Sequence, residues 1–210
     1  MPRNYTTQKK IDIDFGWLKD VKKNKEHYAN ICQFELEDVG AKALLMLPPG
    51  YRLVKWSKED VDNSFFLALL CDTSGEVTYY IDCAVWEDIS LDCKPVTQVL
   101  LWRTTLVAHQ VVTSGLALHI FRNYLLEHYN VIASDSSHTT QGRDFWERQL
   151  GYALAYKEYV YRYNRMTGSL TQITDPEVIV NNSCDLWGDD ETYENILAII
   201  SKEPLKLPKS

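Results

Sequence analysis

One stretch constrains this chain more than any other. Residues Phe65 to Cys71 form an unbroken apolar run, and Asp72-Thr73-Ser74-Gly75 follow with turn chemistry. Val77, Tyr79, Ile81, Cys83 and Val85 then alternate with Thr78, Tyr80, Asp82, Ala84 and Trp86. A buried run, a short glycine turn and a period-two segment predict an antiparallel β-hairpin, because side chains on a strand point to opposite faces in turn. A looser link through Asp92 and Pro95 leads to a third strand over 97–106.

The pattern then changes period. Ala117, Ile120, Phe121, Tyr124, Leu125 and His128 recur at helical spacing and predict one buried stripe, with Thr113 or Ser114 as N-cap. Val131 to Ser134 reads as a short strand. A second helix is expected over 140–150 with Gly151 at its C-terminal turn, and Tyr159, Tyr161 and Tyr163 mark a further strand. Strand, helix and strand across 99–134 should form a parallel pair with a right-handed crossover. The expected fold is α/β in the α+β sense: a mixed, mostly antiparallel sheet with a central parallel pair, flanked by helices.

Before this core, Phe15, Trp17, Leu18 and Val21 have partial helical spacing, 28–36 is a helix or a strand, and Pro48-Pro49-Gly50 is a breaker. After it, Tyr193, Ile196, Leu197 and Ile200 predict a short amphipathic helix. The organisation expected is an N-terminal elaboration over 1–50, a core over 51–175 and a C-terminal extension over 176–210.

Charge excludes some functions. The net charge is −7, yet residues 1–30 hold Arg3, Lys9, Lys10, Lys19, Lys22, Lys23 and Lys25 against Asp12, Asp14, Asp20 and Glu26. The remainder is strongly acidic, which argues against a body that binds nucleic-acid backbones without sequence preference. The basic segment leaves local support for a nucleic-acid partner. Five cysteines with no CxxC spacing and a polar opening segment predict reduced thiols, a cytoplasmic setting and no zinc site. No apolar run is long enough for a membrane span. Thirteen Tyr, six Trp and six Phe imply rings in a core, a cleft or an interface.

The chemistry-bearing region runs from 96 to 163. Thr113-Ser114-Gly115-Leu116-Ala117 lies between a strand and a helix, where unpaired amides and the helix dipole favour an anion and glycine permits close approach. The run Ala133-Ser134-Asp135-Ser136-Ser137-His138-Thr139-Thr140-Gln141-Gly142-Arg143-Asp144-Phe145-Trp146 then leads through a short helix to Gly151-Tyr152. This order resembles the later half of the GCN5-related acyltransferase (GNAT) fold, in particular the GNAT-like proteins encoded by bacteriophages. The resemblance covers about 70 residues closely, and Gly115 and Ala117 match the family's Gln/Arg-x-x-Gly-x-Gly/Ala loop. Val112 stands where that loop has Gln or Arg. Trp146 lies near the position of a tyrosine that protonates the leaving thiolate, and indole has no such acidity.

The resemblance implies an acetyl-CoA-dependent N-acetyltransferase in a host cytoplasm. Acetyl-CoA would contact Leu106, Val107, Val112, Thr113, Ser114, Gly115, Leu116 and Ala117 by backbone, with Ser137 and Gly142 near the same cleft. His109, Asp135 and Tyr152 are the candidate catalytic residues, with Tyr156 as an alternative to Tyr152. His138, Asp82 and Glu87 carry weaker claims. No metal is implied. The acceptor is an unidentified amine on a host protein, a small molecule or a nucleobase, and the oligomeric state is open. The alternative is a non-catalytic descendant of the fold that binds and inhibits a host protein.

Overall fold

The computed structural model describes residues 15–58, 63–86, 91–133, 140–181, 186 and 195–207. The fold is mixed α and β with mostly antiparallel strands, in two compact units that interleave along the chain. One contains 9–84 and 99–125. The other contains 1–8, 85–98 and 126–210.

In the first unit, helix α1 (Val21–Ile31) precedes strands β1 (Glu37–Asp38), β2 (Tyr51–Trp56), β3 (Ser64–Cys71) and β4 (Glu76–Trp86, its last two residues in the other unit). The strands pair in sequence order, each antiparallel to the next. The predicted hairpin is present, with Phe65 opposite Cys83 and Leu67 opposite Ile81. Gly75 closes its turn at φ 64°, a left-handed conformation that glycine adopts without side-chain strain. Every residue of β3 from Phe65 to Cys71 is buried, as a strand paired on both sides and covered on both faces must be.

Helix α1 is capped by the Asp20 carboxylate, which accepts from the Lys23 amide at 2.9 Å. Its buried Asn24 fastens it to the sheet. The Asn24 carboxamide donates to the carbonyls of Leu18 and Val77, both at 3.0 Å, and accepts from the Val77 amide at 2.8 Å. Phe15, Leu18 and Ile31 pack with Val54, Trp56, Phe66, Ala68, Leu70, Val77 and Tyr80 beneath it. Much of the aromatic surplus is therefore core: Trp56 stacks on Phe66 at 5.4 Å, and Trp17 meets Tyr80 edge-on at 5.3 Å.

Strand β5 (Val96–Arg103) leads to helix α2 (Val107–Thr113) and then to a helical stretch over 116–128. That stretch is α3 (Leu116–Ile120), a π-helical segment (Phe121–Leu125) and α4 (Leu126–His128). The predicted stripe is buried at Ile120, Phe121, Tyr124 and Leu125, whereas His128 is exposed because the wider π turn shifts the register after Ile120.

In the second unit, β5 pairs parallel with β6 (Asn130–Ile132) through Val96–Asn130, Thr97–Val131 and Gln98–Ile132. Helix α5 (Thr140–Ala155) and strands β7 (Tyr159–Asn164) and β8 (Ser169–Ile173) follow, then α6 (Pro176–Asn181) and β9 (Ile196–Ser201). Strand order here is β5-β6-β9-β7-β8. Three expectations are corrected. Helix α5 runs through Gly151 to Ala155 and stops before Lys157, which takes φ 60°. The third strand ends at Arg103 rather than 106. The predicted C-terminal helix is instead β9, with Tyr193 outside the described residues. Ile196 to Ser201 are all buried and pair on both sides, with β6 and β7. An apolar run of that kind satisfies the periodicity of either element, and burial on both faces favours the strand.

The fold predicts a specific weak point. Asn24→Ala leaves three buried backbone groups without a partner and should lower unfolding free energy by about 3 kcal/mol. Urea denaturation measures it, and a loss below about 1 kcal/mol would remove the clamp from this account.

Candidate active site

Helix α2 inverts the usual arrangement of an amphipathic helix. Its buried positions are polar, His109 and Thr113, while Val107 and Val111 are 79% and 88% exposed on its outer side. The inward imidazole explains the inversion. His109 Nδ1 lies 2.8 Å from the Tyr51 hydroxyl, and its Nε2 lies 3.2 Å from Glu76 Oε2. An ionised carboxylate only accepts, so Nε2 carries the ring proton. In the neutral imidazole Nδ1 is then the acceptor for the Tyr51 O–H. The three residues form a carboxylate–imidazole–hydroxyl relay from the first residue of β4, the middle of α2 and the first residue of β2.

The relay is mostly enclosed. His109 is 5% exposed, and Glu76 and Tyr51 are partly buried. Burial works to raise the Glu76 carboxyl, but the Ser74 hydroxyl, His109 and the charge of Lys25 outweigh it and hold Glu76 below its usual value. Burial, followed by the neighbouring Cys71 and Glu76, raises the Tyr51 phenol. Tyr51 therefore stays protonated at neutral pH, and a proton moves from it only in concert with His109.

The predicted anion-binding turn lies just past the C-terminus of the same helix. Ser114 has extended backbone, and Gly115 takes φ 71° as the cap residue of α3. Neither Thr113 nor Ser114 caps it through a side chain, contrary to the sequence expectation; Thr113 belongs to α2 and faces inward. The turn expected to follow a strand thus follows a helix, α2, which runs up to Thr113. A Cβ added at Gly115 would meet nothing within 4 Å, so the space above this turn is open. Leu106, Val107, Ser114 and Gly115 are exposed, Val112 and Ala117 are partly buried, and Thr113 and Leu116 are buried, which leaves those last two only backbone to offer a ligand.

Gly142 and Tyr152 belong to the second unit, on α5. Tyr152 and Tyr156 are exposed there, and Trp146 is buried edge-on to Phe145 at 5.2 Å. Asp82 is partly buried on β4. Asp135, Ser137, His138 and Glu87 lie outside the described residues. Among the described residues no group of His, Cys, Asp and Glu is arranged to hold a metal ion, and no helix is long and apolar enough to cross a membrane. Compared with protein-family models, curated proteins and solved structures, the chain matches none.

Sequence reasoning selected His109 and missed Tyr51 and Glu76. They lie 58 and 33 residues away from it, and no local pattern links them. A usable signal was the polar pair His109 and Thr113 at i, i+4 among valines.

Two measurements check the relay. The depressed Glu76 carboxyl contributes stability that is present above the ordinary glutamate value of about 4.3 and is lost as pH falls through its lower folded value. The stability difference between the wild type and Glu76→Gln should therefore be constant above about pH 5 and shrink below it. A difference that grows on acidification contradicts the assignment. Nitrogen-15 spectra should show His109 protonated at Nε2 and bare at Nδ1; the opposite tautomer breaks the relay.

Proposed function

We propose that the chain is an acetyl-CoA-dependent N-acyltransferase acting on an amine acceptor. The observation that carries this reading is the β5–helix–β6 unit. Along the chain, two strands that pair in parallel come before and after a helix that opens on a left-handed glycine with free space above it. The ladder between the strands spans three residue pairs, and β5 then runs on to Arg103. In the family that the chain resembles, a strand leads to the pyrophosphate loop and a parallel neighbour follows the helix, the same order of elements. Pyrophosphate would sit against the first amides after Gly115, where the dipole of the helix favours negative charge.

Acyl transfer needs one proton removed and one delivered. The acceptor nitrogen attacks the thioester carbonyl, the C–N bond forms, the C–S bond breaks, and the nitrogen gives up a proton as the thiolate gains one. The Tyr51–His109–Glu76 relay offers a path for the proton that is removed, with Tyr51 as its outer member; general acid–base groups contribute roughly 10²–10⁴-fold. Positioning and carbonyl polarisation supply the rest.

A second reading is favoured by one observation. The outer face of α2 presents Val107 and Val111 to solvent, beside the partly exposed Leu106. With Val112 and Trp146 departing from the family pattern, this face suits a non-catalytic protein that binds a host partner through its apolar surface.

Calorimetric titration with acetyl-CoA and with CoA separates the two. The acyltransferase reading expects binding of both, abolished by Gly115→Glu, whose side chain and charge would occupy the pyrophosphate position. Absence of binding at millimolar ligand overturns it and leaves the binding protein. Tyr51→Phe should bind acetyl-CoA normally and lower turnover about 10²-fold.

A further inference from the structure

The basic N-terminal segment is not accounted for by acyl transfer. Its described part is α1 and the turn before it, where Lys19, Lys22, Lys23 and Lys25 are exposed. On α1, Lys23, His27, Asn30 and Phe34 fall at i, i+4, i+7 and i+11, which is one helical stripe continued past the helix end. Along it opens a cleft of about 500 Å³ lined by His27, Asn30, Gln33, Phe34 and Lys58. That volume suits a small ligand.

Its chemistry is selective. Lys58 follows β2 and holds its ammonium 4.9 Å from the centre of the Phe66 ring, so the cation is held in place by the aromatic core. His27 packs against Trp17 in a tilted arrangement, ring centroids 3.6 Å apart, and lies edge-on to Tyr80 at 6.1 Å. Burial, then the charge of Lys58, lowers its pKa to about 4, so it is a neutral donor and acceptor at physiological pH. Asn30 and Gln33 add two carboxamides, the groups that pair in bidentate fashion with the edge of adenine. Phe34 is exposed and offers a ring face for stacking. Among the described residues the lining contains one cation, three neutral hydrogen-bonding groups and one aromatic ring, and no carboxylate.

We infer that this cleft binds a nucleoside phosphate, with the base on Phe34 and against Asn30 and Gln33, and the phosphate on Lys58. The exposed lysines of α1 extend the positive field away from an otherwise acidic body, and attract the same anion. The ligand is a free mononucleotide or one unit of a single strand. The site stands apart from the Tyr51 relay, since Lys58 lies beyond the opposite end of β2.

The test is a nuclear magnetic resonance titration of the full chain with AMP, adenosine, inorganic phosphate and a single-stranded adenine octamer. AMP should move the side-chain amide signals of Asn30 and Gln33 and the signals of Phe34, with adenosine and phosphate each at least about tenfold weaker. Lys58→Gln, checked for retained spectral dispersion, should weaken AMP at least about tenfold. The His27 pKa should rise on binding, because the phosphate offsets Lys58. CoA also contains adenosine phosphates, so AMP binding is repeated on Gly115→Glu and should be unchanged there, whatever becomes of acetyl-CoA. Tighter, salt-sensitive binding of the octamer assigns the site to a strand, and equal or weaker binding assigns it to the free nucleotide. AMP that leaves these signals in place, phosphate that binds as well as AMP, or Lys58→Gln that matches the wild type overturns the inference.

Discussion

One buried carboxamide decides how the first unit is closed. A four-stranded antiparallel sheet leaves an apolar face that must be covered, and the covering helix here is short and largely polar. Its burial alone fixes no register. Asn24 does so by bonding to both backbone groups of Val77 and to the carbonyl of Leu18. Those bonds are made in a dry environment, where any unmade partner is costly. They set the helix against the start of β4, beside Glu76. The same turn of sheet that receives Asn24 therefore presents the carboxylate that orients His109.

The sequence was most readable where a segment is paired with its neighbour in the chain. Strand β4 and the strand at Tyr159–Asn164 carry period-two patterns, β3 is an unbroken apolar run, and the hairpin turns contain glycine where a positive φ is needed. Readability fell where the partner is distant. Ile196–Ser201 suits a helix stripe or a central strand equally well until β6 and β7 are seen on its two sides. Helix α2 was hidden for another reason. Its inward residues are held by hydrogen bonds rather than by apolar packing, so hydrophobic periodicity assigns its faces the wrong way round. The candidate site follows the same rule: the glycine turn is local and was found, while two of the three relay residues were not.

The two functional readings draw on different sides of α2. The inward side offers acid–base chemistry through His109, and the outward side offers two bare valines. An enzyme whose acceptor is a protein would use both at once, with the valines as a landing surface near the reacting groups. A plain binding protein needs only the outer side, and the inner relay is then a polar pin that holds the helix to the sheet.

The place of β9 in the chain has a kinetic consequence. It lies between β6 and β7, yet it is made after both of them, and after β8 and α6. Until it arrives, β6 and β7 each have an edge with unsatisfied amides and carbonyls. Such edges recruit other strands, including those of neighbouring nascent chains. The second unit can close only by inserting a late, wholly buried strand into a gap kept open for it, and contacts of that sequence separation form slowly. Maturation of this unit is therefore a race between insertion and aggregation, settled only once the strands on both sides of the gap have already been made.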